Sequence, residues 1–273
     1  MGLFSRNFNK PGPGVSKDEP RKKGTARFFE LLSRDFFDLV KLNLMFCIVI
    51  FPSVSAFLFG IFFINSGIGI LLGIALAFPV GGGLTAYYYY ISKMMRDDPS
   101  YVWFEFKRKF VENFKQTMPI GMLCMGFILT QVLLWGNFIT MLMLEEPVGD
   151  MLWFLFMLFS LFVFTMVLPY LFLHFAYVQL GTLQILKNSV MLTFGYLPRS
   201  VMGAIMGGLM WTIFALFFPE SMLFLPVIVL FGISLSILLS LMWVWPVFDK
   251  CFKVEETLIE RQQNEDNLNG DIE

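Results

Sequence analysis

The chain has 273 residues and a net charge of −1, and its composition excludes an ordinary water-soluble enzyme. Hydrophobic residues make up 57% of it, charged residues only 15%, and the mean hydropathy is +0.69. A soluble domain carries roughly 25% charged residues because its surface must be largely polar. The same numbers exclude a disordered chain or a secreted disulfide scaffold. The composition therefore predicts a polytopic membrane protein.

Three regions follow from the distribution of polar residues along the chain. Residues 1–25 form a polar N-terminal segment, which is predicted to be irregular and cytoplasmic. They contain no short apolar region followed by a cleavage site, so no signal peptide is expected. Residues 26–248 form the membrane domain, and residues 249–273 form an acidic cytoplasmic tail.

Six apolar stretches are long enough to cross a bilayer as helices, which takes about 20 residues each. Continuous apolar runs of this length are unlike the alternating strands of a membrane barrel. The predicted fold class is therefore all-α, a polytopic membrane protein with six transmembrane helices. The spans cover approximately Leu39–Ile64, Ile68–Ile91, Pro119–Leu144, Met151–Leu180, Ser200–Phe218 and Met222–Val247.

The basic residues fix the predicted orientation of these spans. Nine precede or begin the first span, six lie between the second and third, two between the fourth and fifth, and three in the tail, which accounts for all 20. Cytoplasmic loops are enriched in Lys and Arg. Both termini are therefore expected on the cytoplasmic side of the membrane.

Amphipathic segments precede the first, third and fifth spans, and we interpret them as cytoplasmic elbow helices. The clearest lies before the third span, where aromatic residues recur at helical spacing and basic residues lie between them. Such a helix lies on an anionic membrane surface. The residues expected to meet lipid headgroups or a partner protein are Lys107, Arg108, Lys109 and Lys115.

Each of the three segments contains an Asn with a Lys one or two positions away and a Pro soon afterwards. The asparagines are Asn43, Asn113 and Asn188. One interpretation is three degenerate units of an elbow and a helical hairpin, covering about 26–92, 101–180 and 183–248, since internal repeats are common in membrane folds. The other is chance, because polar residues belong at membrane interfaces.

Few residues inside the predicted spans could carry chemistry. The candidates for a ligand cavity are Gln131, Asn137 and His174, the only histidine. Each could line a polar cavity, or could form hydrogen bonds between helices, which we favour. No nucleophile–base pair or metal-ligand set is present, so no catalytic residue, metal or cofactor is predicted.

Glycines inside the spans predict close helix packing. The run Gly81-Gly82-Gly83 lacks the Lys-Ser/Thr and the preceding strand of a phosphate-binding loop. Small residues at this spacing instead let two helix backbones approach each other. Gly203 and Gly207 in the fifth span have the same interpretation.

Three segments together resemble the YesL family of bacterial integral membrane proteins, also called DUF624. They are Leu39–Pro52, Gly81–Thr117 and Leu186–Pro198, and the proline- and glycine-containing start at Pro11–Val15 is similar to longer members. This chain has Gly82-Gly83 where the family often has Gly-Pro. The resemblance implies a link to carbohydrate uptake and degradation loci of Gram-positive bacteria. It implies no catalytic residues, because the family's molecular activity is not established.

The sequence thus predicts a non-enzymatic membrane protein that assists carbohydrate uptake as an accessory or regulatory partner of a transporter. Its expected partners are anionic lipids and a carbohydrate transporter subunit, and no nucleic acid. The alternative is a transporter in its own right for a small polar or sugar-like solute. A membrane enzyme is the least favoured of the three, for want of an acid–base pair.

Overall fold

The chain is almost entirely helical in the computed structural model. The structure describes residue 22 and residues 24–98, 100–143, 151–216, 225–258 and 260, and these contain no β-strand. In chain order the helices are α1 (Thr25–Arg34), α2 (Phe36–Phe63), α3 (Ser66–Ala75), α4 (Val80–Met95), α5 (Val102–Met143), α6 (Met151–Tyr177), α7 (Thr182–Gly195), α8 (Leu197–Leu216), α9 (Leu225–Val227), a π-helical turn (Ile228–Gly232) and α10 (Ile233–Phe252).

Several of these helices are long and apolar enough to cross a membrane. Within the described part of the chain, α2, α5, α6 and the segment Val229–Phe252 each qualify, and α3 with α4 forms a fifth candidate if the bent pair is one span. The prediction of an all-α membrane protein is confirmed at this level. The count of four to five differs from the six spans predicted from the sequence.

The second predicted span is two helices rather than one. The axes of α3 and α4 meet at an angle of 62° across residues 76–79. Pro79 has no backbone N–H and therefore cannot continue the hydrogen-bond ladder of α3. The Val80 N–H bonds to the Ala77 carbonyl oxygen at 3.0 Å, and this turn starts α4 in a new direction.

The third predicted span and the amphipathic segment before it form one continuous helix. α5 contains 42 residues and runs through Pro119 without a break. At 1.5 Å per residue it is about 63 Å long, whereas the hydrocarbon core of a bilayer is ~30 Å thick. The segment predicted as a separate elbow therefore forms the first turns of α5, while α1 and α7 are separate short helices.

The last two predicted spans are only partly covered by the described residues. α8 contains most of the predicted fifth span but is not among the candidate spanning helices. Residues 217–224 lie outside the described part of the chain, as do most of residues 1–25 and the tail beyond residue 260. α10 ends at Phe252, so it extends a few residues into the predicted tail.

α4 is the central helix of the bundle, because all of its residues from Val80 to Met94 are buried. Its neighbours are α2, α5, α6 and α10. Tyr87 packs against Phe46 of α2 with ring centroids 5.1 Å apart. Tyr88 stacks on Phe172 of α6 at 5.8 Å. A helix enclosed on every side carries mostly apolar or small side chains, and α4 contains three glycines and four tyrosines among its 16 residues.

The closest approach between α4 and another helix is at Gly81 and Gly121. A Cβ atom on Gly81 would overlap the Thr117 carbonyl oxygen of α5, and one on Gly121 would overlap the backbone nitrogen of Gly81. Gly82 faces Phe110 of α5, where an added Cβ would lie 3.2 Å from the carbonyl oxygen. Only glycine allows the two backbones to cross at this distance.

Two more glycines from the sequence analysis lie where α8 meets α10. An added Cβ on Gly203 would lie 2.9 Å from the Val244 Cγ2 atom, and one on Gly207 would lie 3.0 Å from the Ser240 Cβ atom. Gly83 faces α2 instead, 2.8 Å from the Val49 Cγ1 atom by the same measure. All five predicted packing glycines therefore lie against a neighbouring helix.

Replacing Gly121 tests the backbone crossing between α4 and α5. We expect Gly121→Ala to lower the free energy of unfolding by about 1–3 kcal/mol, because the added methyl group forces two backbones apart. Gly136→Ala in the same helix is the matched control, since an added Cβ there meets nothing within 4 Å. It should be neutral or slightly stabilising. Unfolding in detergent, followed by circular dichroism, measures both; equal losses would contradict the crossing.

Candidate functional site

The three residues predicted to line a cavity lie in different environments. Gln131 is buried on α5, and its Nε2 atom donates a 2.9 Å hydrogen bond to the Ser160 hydroxyl of α6. Asn137 is exposed near the C-terminal end of α5. His174 is fully buried near the end of α6. The first and third residues therefore face into the bundle, and the second does not.

The structure does not bring these residues together. Gln131 contacts Ser160, and His174 lies 14 residues further along the same helix. At 1.5 Å per residue that is about 21 Å along α6. They therefore contribute to two separate helix contacts rather than to one cavity.

His174 joins three helices through hydrogen bonds and ring contacts. Its Nδ1 atom lies 2.7 Å from the Tyr170 carbonyl oxygen and 3.0 Å from the Ser189 hydroxyl of α7. A carbonyl oxygen only accepts, so we assign the ring proton to Nδ1. The imidazole edge also meets Phe248 and Phe252 of α10, with centroids 5.1 and 4.9 Å away. These contacts are those of a structural histidine at a helix junction.

Asn43 is the centre of a buried hydrogen-bond network that the sequence analysis did not predict. Its Oδ1 atom accepts from the Tyr87 hydroxyl at 2.8 Å and from the Ser234 backbone N–H at 3.1 Å. Its Nδ2 atom donates to the Val229 carbonyl oxygen at 2.6 Å. The Ser234 hydroxyl in turn donates to the Leu39 carbonyl oxygen at 2.7 Å. The amide thereby ties α2 to α4 and α10.

The π-helical turn before α10 supplies one partner of this network. Val229 lies within that turn, where the backbone departs from the regular α-helical bonding pattern. Such turns often mark functional or contact sites in helices. Here the turn lets the carbonyl of Val229 accept from a side chain of α2, and α10 continues directly after it.

The three asparagines that suggest an internal repeat have different roles. Asn43 is fully buried and bridges helices, whereas the Asn113 amide donates to the Lys109 carbonyl of its own helix at 3.0 Å. Asn188 is half-buried on α7. Their contacts give no shared motif, and the three-unit repeat stays a prediction.

A second cluster, which we call the charge cluster, lies at the end of α4 and consists of Arg27, Lys93, Asp97, Glu105 and Arg108. Lys93 and Glu105 are almost fully buried, and the Lys93 Nζ atom lies 3.0 Å from the Glu105 Oε1 atom. Arg108, one turn along α5, bonds to the other oxygen of the same carboxylate. This pairing joins the end of α4 to the start of α5.

Asp97 joins the end of α4 to α1. Its backbone lies in the left-handed region, with φ 61°, at the position after the helix end where glycine is usual. The Asp97 N–H bonds to the Met94 carbonyl and the Asp98 N–H to the Lys93 carbonyl, which is the Schellman pattern. Its carboxylate accepts from Arg27 at 2.7 Å and also from Arg34.

These contacts determine the electrostatics of Asp97. Partial burial raises the pKa of its carboxyl group. The hydrogen bonds and positive charges of Arg27 and Arg34 lower the same pKa by more than burial raises it. The net result is a pKa below its ordinary value of 3.8. The carboxylate is therefore held in its charged form, as an acceptor that joins α1 to the end of α4.

Arg96 extends the charge cluster toward α6 and α10. Its guanidinium lies over the ring of Tyr177, 5.3 Å from the centroid, and over that of Trp245 at 5.5 Å. Cations favour the faces of such rings, and more so when water is excluded. In the sequence, Lys93 and Arg96 count among the six basic residues between the second and third predicted spans, and no local pattern there indicates that they are buried.

The four basic residues predicted to face lipid or a partner divide into two pairs. Lys107 and Lys115 are exposed on α5. Arg108 turns toward Glu105 and donates to the Tyr89 hydroxyl at 3.1 Å. Lys109 lies 4.9 Å from the Tyr89 ring centroid and pairs with Glu112 at 2.9 Å. Only the first pair is thus directed fully outward.

A surface pocket of about 380 Å³ borders the charge cluster. Its acidic residues are paired: Asp35 with Arg34, Asp38 with Lys41, and Asp98 with Lys93. No group of three or more metal-binding side chains occurs in the residues that the structure describes. The full lining is Arg34, Asp35, Asp38, Tyr90, Met94, Asp97, Asp98 and Ser100.

Comparison with known proteins adds no assignment to these sites. No protein family model, no curated protein and no solved structure matches this chain. The interpretation of the chain therefore depends on its own sequence and contacts.

Replacing Glu105 tests whether the charge cluster holds α4 and α5 together. Glu105→Gln leaves the buried Lys93 without its closest counter-charge, so we expect a loss of about 3–5 kcal/mol in the free energy of unfolding. Glu112→Gln on the same helix is the matched control, because its ion pair with Lys109 is half-exposed. It should cost about 0–1 kcal/mol. Similar losses for both variants would show that the buried pair stabilises the protein no more than the half-exposed pair does.

Replacing Asp97 predicts a pH-dependent difference in stability. The folded-state pKa of this group is lowered, so its contribution is present above its ordinary pKa of 3.8 and is lost as the pH falls through the folded value. Asp97→Asn tolerates the same backbone conformation but lacks the charge. It should be less stable than the parent at neutral pH, and the gap should close in acid. Thermal unfolding in detergent across this range measures it; a gap independent of pH would contradict the ion pairs.

Proposed function

We propose that this chain is a non-enzymatic accessory or regulatory protein of a carbohydrate transporter in a bacterial cell membrane. It has six spans, cytoplasmic termini and interfacial helices at the cytoplasmic surface. The carbohydrate link rests on the resemblance of three segments to the YesL family. The accessory role rests on how the buried polar side chains are bonded.

The proposed topology is supported by the distribution of charge. All 20 basic residues lie on one side of the predicted spans, and the only charged residues in the connections on the other side are acidic. The charge cluster, Lys107 and the exposed Lys115 belong to the basic side. α8 supplies the fifth span in this proposal and raises the total to six, since an even number of spans leaves both termini on one side.

The observation that supports an accessory role most directly is the bonding of Asn43. This amide, buried among helices, bonds to three groups of the protein itself, and Gln131 bonds across to Ser160. A transporter needs polar groups that face a path for its solute. In the described residues, these amides instead join helices to one another.

One observation favours the alternative, a transporter in its own right. The Gln131 Oε1 atom and the His174 Nε2 atom are buried without a hydrogen-bond partner among the described residues. An unpartnered buried acceptor is costly, and a solute or water that donates to it would remove that cost. This role would require the bundle to open between α5 and α6 or beside α7.

Affinity purification from native membranes in mild detergent, followed by mass spectrometry, tests the proposal. We expect a carbohydrate transporter subunit to be recovered with the tagged chain, and no sugar uptake above background by liposomes that contain the chain alone. A tagged Glu112→Gln variant, which is expected to fold normally, is the control and should recover the same subunit. Saturable sugar uptake by the chain alone, lost in Gln131→Leu, would overturn the accessory role in favour of transport.

A further inference from the structure

α7 has an unusual distribution of polar and apolar side chains. It contains 14 residues, so it is about 21 Å long and too short to cross a ~30 Å hydrocarbon core. Its inward face consists of Ile185, Ser189 and Thr193, and all three are buried. Two of these three inward residues carry hydroxyl groups. A helix on the surface of a water-soluble protein instead buries apolar side chains and exposes polar ones.

The outward face of α7 is apolar along most of its length. Leu183 is 82% exposed, Met191 62% and Phe194 56%, and Val190 is also exposed. The exposed polar side chains, Gln184 and Lys187, lie in its first half. From Val190 onward the exposed side chains are apolar, and they recur at helical spacing on one face.

The inward hydroxyls of α7 need no water. The Ser189 hydroxyl donates to the Ile185 carbonyl at 2.8 Å and lies 3.0 Å from the His174 ring. The Thr193 hydroxyl donates to the Ser189 carbonyl at 2.8 Å. A helix that satisfies its polar groups inward and presents apolar side chains outward suits a hydrocarbon environment.

The first turns of α5 provide a comparison within the same molecule. Their exposed side chains include Trp103, Lys107, Glu112 and Lys115, so charged and aromatic groups alternate there. That mixture is typical of the headgroup region. The second half of α7 lacks this mixture of charged and aromatic side chains, although both segments directly precede a predicted span.

From these observations we propose that α7 lies in the plane of the membrane, with Leu183, Val190, Met191 and Phe194 among the acyl chains of the cytoplasmic leaflet. Lys187 lies on the same face, between Leu183 and Val190, and Arg199 follows the helix; both are exposed, and both are long enough to extend along the apolar surface to anionic headgroups. The apolar face continues onto α8, where Ile205 and Leu209 are exposed. The inference holds for either an accessory protein or a transporter.

Fluorescence quenching by lipids tests this placement. A bimane label is attached to Met191→Cys in a full-length background carrying Cys47→Ala, Cys124→Ala and Cys251→Ala, reconstituted in phosphatidylcholine–phosphatidylglycerol vesicles. Leu123→Cys is the control for lipid contact, since it is 70% exposed on a candidate span, and Lys107→Cys is the control for water contact. Brominated acyl chains and aqueous iodide are the two quenchers.

We expect brominated lipid to reduce the emission at position 191 as strongly as at position 123, and iodide to quench only position 107. Strong iodide quenching at position 191 would place the face in water and overturn the proposal. Resistance to both quenchers would show that a second copy of the chain covers the face, which overturns it as well. Phe194→Cys provides a second reading if the first variant does not fold.

Discussion

The absence of water inside a bilayer is the constraint on which the structure of this protein depends. Polar groups there must find partners within the protein, and α4 shows how this is achieved. Its backbone is enclosed by four helices, Gly81 and Gly82 meet the backbone of α5, and the hydroxyls of Tyr87 and Ser92 bond to side chains of α2 and α6. Each neighbour is placed by a contact with this one helix.

The two ends of the bundle follow from how α4 begins and ends. At its start, Pro79 stops the preceding helix and sets the 62° bend. At its end, Asp97 adopts the left-handed conformation and presents its carboxylate to Arg27 and Arg34. The charge cluster therefore stabilises the C-terminal end of the central helix, and Arg108, one of the basic residues expected on the surface, belongs to it.

Much of the fold could be predicted from local sequence signals. Apolar runs predict membrane helices because a helix needs only sufficient length and hydropathy to lie in lipid. The spacing of glycines indicates close helix packing even when the partner helix is not known. The break at Pro79 follows from the missing N–H. The six-span count goes beyond what the structure shows, because α8 is not a candidate span and the residues after it lie outside the described part of the chain.

The polar contacts could not be predicted in the same way. Asn43 bonds to residues 44 and 186 positions away, and no local pattern specifies such partners. The elbow helix predicted before the third span is not distinct from the span in the structure, because α5 continues through Lys115 and Pro119 without a break. The buried ion pair of Lys93 and Glu105 was missed because charged residues beside an apolar run resemble a solvated loop until their partners are known.

The central claim is that buried polar side chains hold the helices together. A double-mutant cycle between Asn43→Ala and Tyr87→Phe measures this most directly, with unfolding in detergent as the readout. A hydrogen bond between two fully buried side chains predicts a coupling free energy of about 0.5–3 kcal/mol. Additive effects of the two substitutions, or no loss of stability in Asn43→Ala, would contradict the claim.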